Sequence, residues 1–207
     1  MIFQSQYIPA SGSSTSTTQP VTNVTDSLGL LSFKQRPKFP VVSSTKHAQI
    51  DFWYAVASSP LTKDRITANF AGATDAIIVV FGVSGYSSTF ESSLPATNSG
   101  DSASASVSFS TSNPNDLIIC AIATSNIDGN IVAFSIAGFT NLGRNQVIDA
   151  GSNAINDDIE VAAVTAVESL TAVWTLGGSH SWAAFIDAIQ GLPQPKGTTL
   201  KLTVTQA

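Results

Sequence analysis

Covalent catalysis needs a nucleophile, a base and an orienting acid, and the only imidazoles available are His47 and His180. His180 lies in Leu176-Gly-Gly-Ser-His-Ser181, flanked by Ser179 and Ser181, without the Gly-x-Ser-x-Gly elbow that strains a nucleophile into position. It reads as a histidine in a polar turn between two strands. Glycoside hydrolysis would need two carboxyl groups across one cleft, drawn from Glu91, Glu160 or Glu168 with an aspartate. Glu160 and Glu168 fall on outward positions of alternating segments, so no shared cleft is expected. Asn126-Ile-Asp-Gly-Asn130 has the oxygen ligands of a calcium loop but not its closing glutamate. Its Asp-Gly reads instead as a hairpin turn between residues 117–124 and 131–136. Asp149, Asp157 and Asp158 border a stretch rich in Asn, Gly and Ser, which reads as a solvated turn.

The single cysteine, Cys120, sits in the apolar run Asp116-Leu-Ile-Ile-Cys-Ala-Ile-Ala-Thr124 and reads as a small buried hydrophobe. Trp53, Trp174 and Trp182, with Phe52 and Tyr54, are the side chains that could stack on sugars. Trp174 and Phe70 read as core, while Phe52 and Trp53 face opposite sides of one strand, leaving one of them for an interface. The sequon Asn23-Val-Thr25 matters only on export. The expectation is a chain that is not an enzyme, with no catalytic, cofactor-binding or metal-binding residues.

The elements that must position these groups are strands. Charged residues make up 11% of the 207, against about 25% in ordinary soluble domains. Ser, Thr, Asn, Gln and Gly therefore cover the surface, and neutral polar faces pack against neighbours at modest desolvation cost. The net charge of −5, with basic residues scattered singly, offers no stripe to neutralise a phosphate backbone, so no nucleic-acid partner is expected. No apolar run reaches the ~18 residues of a membrane span. Residues 1–9 have neither the basic start nor the long apolar block of a secretory signal. Residues 10–20, Ala-Ser-Gly-Ser-Ser-Thr-Ser-Thr-Thr-Gln-Pro, are linker chemistry, ordered only where the chain's own domain or a neighbouring subunit holds them.

β-Branched and aromatic runs at residues 50–57, 65–70 and 76–83 are separated by turn residues, and residues 103–110 alternate with period two. Residues 117–124, 131–136, 159–167, 170–176 and 182–189 continue the series, and residues 198–205 form a last alternating strand. Segments recur in order: residues 50–57 against 159–166, Leu61-Thr against Leu170-Thr, Phe70 against Trp174, and 76–85 against 182–191. The offset drifts from 109 residues (Ile50 to Ile159) through 104 (Phe70 to Trp174) to 106 (Ala76 to Trp182), so the copies differ in length between their matched segments. Where the second copy has the strand 117–124, the first has Ile2-Phe-Gln-Ser-Gln-Tyr-Ile8, shorter and more polar. That segment fills the slot in its own chain or in a neighbour's.

The phrases Val21-Thr-Asn-Val-Thr-Asp-Ser-Leu-Gly-Leu30, Asp51-Phe-Trp-Tyr-Ala-Val-Ala-Ser-Ser-Pro-Leu-Thr62, Ile66-Thr-Ala-Asn-Phe70 and Asn113-Pro-Asn-Asp-Leu-Ile-Ile119 resemble a prokaryotic and phage-type β-sandwich module of virion structural and cell-surface proteins. The resemblance covers about residues 21–191, implies a jelly-roll-like sandwich, and carries no catalytic residues. Members of the family usually begin with an apolar strand before the Val-Thr-Asp-Ser-Leu-Gly segment, a pattern from which this chain departs.

The expected architecture is an all-β antiparallel sandwich of two related halves, about 21–90 and 103–191. An extended arm, residues 1–20, would precede it, and a linker with a C-terminal strand, residues 192–207, would follow. The expected role is a capsid decoration or cement protein, or another virion surface component, partnered by copies of itself and by a capsid protein. The alternatives are a subunit of an extracellular filament joined by donor-strand exchange, and a carbohydrate-binding adhesion module. Ile2, Phe3, Tyr7, Ile8, Leu200, Leu202 and Val204 are the candidate assembly contacts, and removing residues 1–20 is expected to leave a folded sandwich.

Overall fold

The computed structural model describes residues 2–7, 21–36, 41–43, 48–71, 75–125, 130–148, 154–192 and 205–206, and every regular element among them is a strand. In chain order these are β1 (Ile2–Tyr7), β2 (Val21–Asp26), β3 (Lys34–Gln35), β4 (Val41–Val42), β5 (Ala48–Tyr54), β6 (Ile66–Phe70), β7 (Asp75–Gly82) and β8 (Tyr86–Phe90). They continue with β9 (Ala96–Ser110), β10 (Leu117–Ser125), β11 (Ile131–Phe134), β12 (Thr140–Ile148), β13 (Ala154–Ala163), β14 (Ser169–Gly191) and β15 (Thr205–Gln206). All pairings are antiparallel. The fold is thus an all-β, β-sandwich-like arrangement, as the strand-length runs and turn residues predict.

One sheet has the order β15-β7-β1-β5-β3, with β4 also on β5, and a second is built on β11, β14, β10, β13 and β12, with β8 and β9 on β14. The two sheets face each other across the main core. Ile50 and Phe52 of β5, with Ile77, Val79 and Phe81 of β7, meet Leu117, Ile119 and Ala121 of β10, Ile159 of β13 and Phe185 of β14. The Phe52 and Phe185 rings lie 5.0 Å apart. Alternation along each strand sends these residues to one face and their neighbours to the other.

β10 does not alternate. All nine of its residues are buried, because its second face is covered too. Ile118, Cys120 and Ile122 pack there with Val107 and Phe109 of β9 and with Ala172, Trp174 and Leu176 of β14. This is possible because the β9–β14 ribbon folds over the sheet that it belongs to. Its register jumps between Thr175↔Ser104 and His180↔Ser102, leaving residues 176–179 of β14 opposite Ala103 alone, a large bulge. Asn98 Nδ2 donates to Ser106 O at 2.8 Å, although eight residues of straight strand would span roughly 26 Å. The ribbon is sharply bent. Gly100, opposite Trp182, leaves room near the bend, since a Cβ there would lie 3.0 Å from the indole.

A continuous apolar run that reads as a doubly buried strand is therefore what the two covering layers require. The outer face of the first sheet is covered more thinly, by the two-stranded β2–β6 ribbon. Val21 and Val24 are buried against partly exposed Phe33, Trp53, Ile66, Phe70 and Val80.

Three expectations change. Residues 117–124 and 131–136 do not form a hairpin: β10 and β11 run in the same direction along successive parts of β14, at Leu117↔Ile189 to Thr124↔Trp182 and then at Ile131↔Leu176. Residues 170–176 and 182–189 belong to one bent strand, β14. The segment assigned to the start of the arm supplies β1, a middle strand, so removing residues 1–20 would take out the interior of a sheet rather than a free extension.

Candidate assembly site

The candidate assembly residues Ile2, Phe3 and Tyr7 lie in β1. Register places Ile2 opposite Trp53 and Val80, Phe3 opposite Phe52 and Val79, and Tyr7 opposite Ala48 and Asp75. The slot expected from the sequence is thus filled within the chain. β1 bonds on both edges to strands that lie after residues 8–20 in the chain, so it is a middle strand with a Ser/Thr-rich tether. Ile8, Leu200, Leu202 and Val204 lie outside the described residues, although β15 carries the chain onto β7 immediately after Val204, at Thr205↔Gly82.

A groove of about 660 Å³ lies beside this end of β7. Its walls include Tyr54, Leu61, Asp64, Val83, Tyr86 and Phe90, and the last packs edge-on against Tyr54 with ring centroids 4.7 Å apart. Apolar walls with a few polar groups are ordinary for a binding surface of this size. Two buried atoms there, Asp64 Oδ2 and Tyr86 Oη, have no hydrogen-bond partner. Asp64 Oδ1 accepts from Ser27 N at 3.1 Å and from Ser27 Oγ at 2.9 Å, which fixes the carboxylate to the β2–β6 side of the groove.

Behind the groove a buried polar network ties the two sheets together. Arg36 stacks over Phe90, 4.4 Å from the ring, and donates to Asp187 and to the carbonyls of Glu91 (3.1 Å) and Leu94 (2.8 Å). Glu91 is buried and accepts from Ser112 and Asn113. These bonds and one from Asp116 outweigh the upward push of burial, leaving its carboxyl lowered. Burial first, and the Glu91 carboxyl second, push Asp116 up to about 7. Burial likewise pushes Asp187 up to about 6 against the pull of Arg36, and Asp51, between Gln35 and Gln49, up to about 6. Each of these acids is held by structural donors, and Asp187, Glu91 and Asp116 form the cluster nearest the groove.

The remaining candidates are scattered. His180 sits beside the β14 bulge opposite Ser102, and the neighbouring Ser181 hydroxyl donates to Asp101. His47 and Asp149 lie outside the described residues. Asp157 and Asp158 are not in a solvated turn: both are buried in β13, held by Asn145 and by Arg144 and Asn141. Glu160 is not outward-facing: it is 5% exposed and accepts from Asn141 at 2.8 Å. The run Asn156-Asp-Asp158 resembled a turn because isolated acids read as solvent-facing, whereas their partners lie on β12, a separate segment of the sequence. Glu168 is half-buried just before β14 begins.

Trp174 is fully buried, with Phe134 5.1 Å away, and Trp182 is 4% exposed and donates to Ser102 Oγ at 3.0 Å. Phe52 faces the core and Trp53 the thinner outer layer. Cys120 is buried, and burial pushes its thiol up, away from the reactive thiolate. Asn23 of the sequon is exposed on β2. Among the described residues no group of three or more His, Cys, Asp or Glu could hold a metal ion. The chain matches no family model, no curated protein and no solved structure.

Proposed function

We propose that this chain is a non-enzymatic structural subunit that joins a larger assembly through its N-terminal strand. The observation that carries the reading is β1: a middle strand bonded on both edges, followed in sequence by the Ser/Thr-rich residues 8–20. Thirteen such residues reach roughly 43 Å when extended, enough for a strand to serve its own slot or a neighbour's. The low charge suits close contact with like subunits.

The first reading is a virion surface component, a capsid decoration or cement protein, partnered by copies of itself and by a capsid protein. It rests on the resemblance to phage-type sandwich modules and on the weakly charged surface. The second reading is a filament subunit whose β1 enters the next copy, and the double-edged pairing of β1 favours it. The placing of one strand between two antiparallel partners in each sheet is compatible with both readings. β1 lies between β5 and β7 with β3 beyond β5 and β2 on β6; β10 lies between β13 and β14 with β12 beyond β13 and β11 on β14.

Immunogold labelling with antibodies against the folded chain tests the proposal on particles and filaments from the producing culture. Gold on particles supports the first reading, and gold on filaments the second. Label confined to soluble monomer overturns both.

A further inference from the structure

The groove beside β7 receives both ends of one stretch of chain. At one end Gly191 pairs with Tyr86, a wall residue, and at the other Thr205 pairs with Gly82, also on the wall. Tyr86 and Gly82 are four residues apart, at most about 14 Å along the chain, whereas the thirteen residues between Gly191 and Thr205 reach roughly 43 Å. There is far more chain than the gap needs. Its sequence, Thr198-Thr-Leu-Lys-Leu-Thr-Val-Thr205, alternates with period two, so as a strand it presents Leu200, Leu202 and Val204 on one side.

We propose that the groove is the docking site for residues 198–204 of the same chain, which lie outside the described residues. Leu200, Leu202 and Val204 are the side chains that seat against its apolar wall. The groove has the complementary features. Val56 and Leu61 are 61% and 37% exposed on its rim, apolar area that a docked strand removes from water. Asp64 Oδ2 and Tyr86 Oη are unpartnered polar atoms, and an extended strand brings both N–H donors and threonine hydroxyls. The inference concerns one chain and stands whether or not subunits assemble.

The test uses the full chain carrying Leu200→Asp and Leu202→Asp, and a fluorescent peptide with the sequence of residues 198–206. The peptide should bind this variant at least tenfold more tightly than wild type, whose own segment competes. Adding Leu61→Asp on the groove wall should abolish that binding while the tryptophan emission of Trp174 and Trp182 reports an intact core. Equal binding to wild type and variant, or binding to neither, overturns the proposal. So does protection of wild type that grows with protein concentration, because the occupant would then come from a second copy.

Discussion

β1 and β10 hold the same place in their sheets, each between two antiparallel partners, yet they are unlike as sequences. β10 is nine residues, Leu-Ile-Ile-Cys-Ala-Ile-Ala-Thr-Ser, and all are buried; β1 is Ile-Phe-Gln-Ser-Gln-Tyr. The difference follows from what lies outside each sheet. A folded-over β9–β14 ribbon seals the far face of β10 with Trp174, Phe109 and Val107, whereas the β2–β6 ribbon covers the first sheet with Val21 and Val24 as its buried pair. Burial on two faces selects the uninterrupted apolar sequence of β10. The more polar strand is β1. A middle strand of that kind can leave its sheet without exposing a long apolar run, which β10 cannot do.

The largest effect should come from removing β1. Deleting residues 1–8 strips both β5 and β7 of their shared partner, and thermal unfolding should lose its single cooperative transition. A peptide of residues 1–8 added to the truncated chain should restore it. A truncated chain that melts like wild type would mean that β1 is no structural counterpart of β10.

The covering layers come next. Trp174→Ala should cost about 3–5 kcal/mol by denaturant unfolding, as for a fully buried aromatic. Phe70→Ala, half-buried in the thin layer, should cost only about 1–2 kcal/mol. Equal costs would show that the two outer layers do not differ as described. Arg36→Ala strands Asp187 in the interior and should cost about 3 kcal/mol, while the double change with Asp187→Asn should recover part of it. Gly191→Ala is a smaller probe of the same junction. A Cβ there would meet Asn115 O at 2.1 Å, so the end of β14 must shift.

These contrasts mark what the sequence could disclose. Residues 50–57, 76–83 and 117–124 announce strands because β-branched runs bounded by turn residues leave few alternatives. Trp174 and Cys120 announce core. The bend in β14 is silent: Gly177, Gly178, Ser179 and His180 look like a turn between two strands, and only the ladder to β9 shows one strand with a bulge. Asp157, Asp158, Glu160, Glu91 and Asp116 were equally illegible, since a carboxyl becomes a core residue only when distant donors such as Arg144, Asn141 and Ser112 come to it. The groove draws walls from residues 31 to 189, a combination that no local pattern encodes.

The smallest and finest comparison is between the acids of the two sheets. Asp51 in the first is pushed up to about 6, and Asp187 and Asp116 in the second to about 6 and about 7, mainly by burial. Each folded-state value exceeds the ordinary 3.8, so the folded chain keeps protons that the unfolded chain releases. The stability that they contribute is complete below about pH 4 and is lost as the pH rises through 6 to 7. Melting temperature should therefore fall by a few degrees between about pH 4 and pH 7.5. Asp116→Asn should flatten the part between about pH 6 and 7, and Asp51→Asn should flatten the part below it. If melting temperature instead rises over that interval in wild type, ionised carboxylates stabilise both sheets, and the buried acids are not the proton-holding groups that their surroundings require.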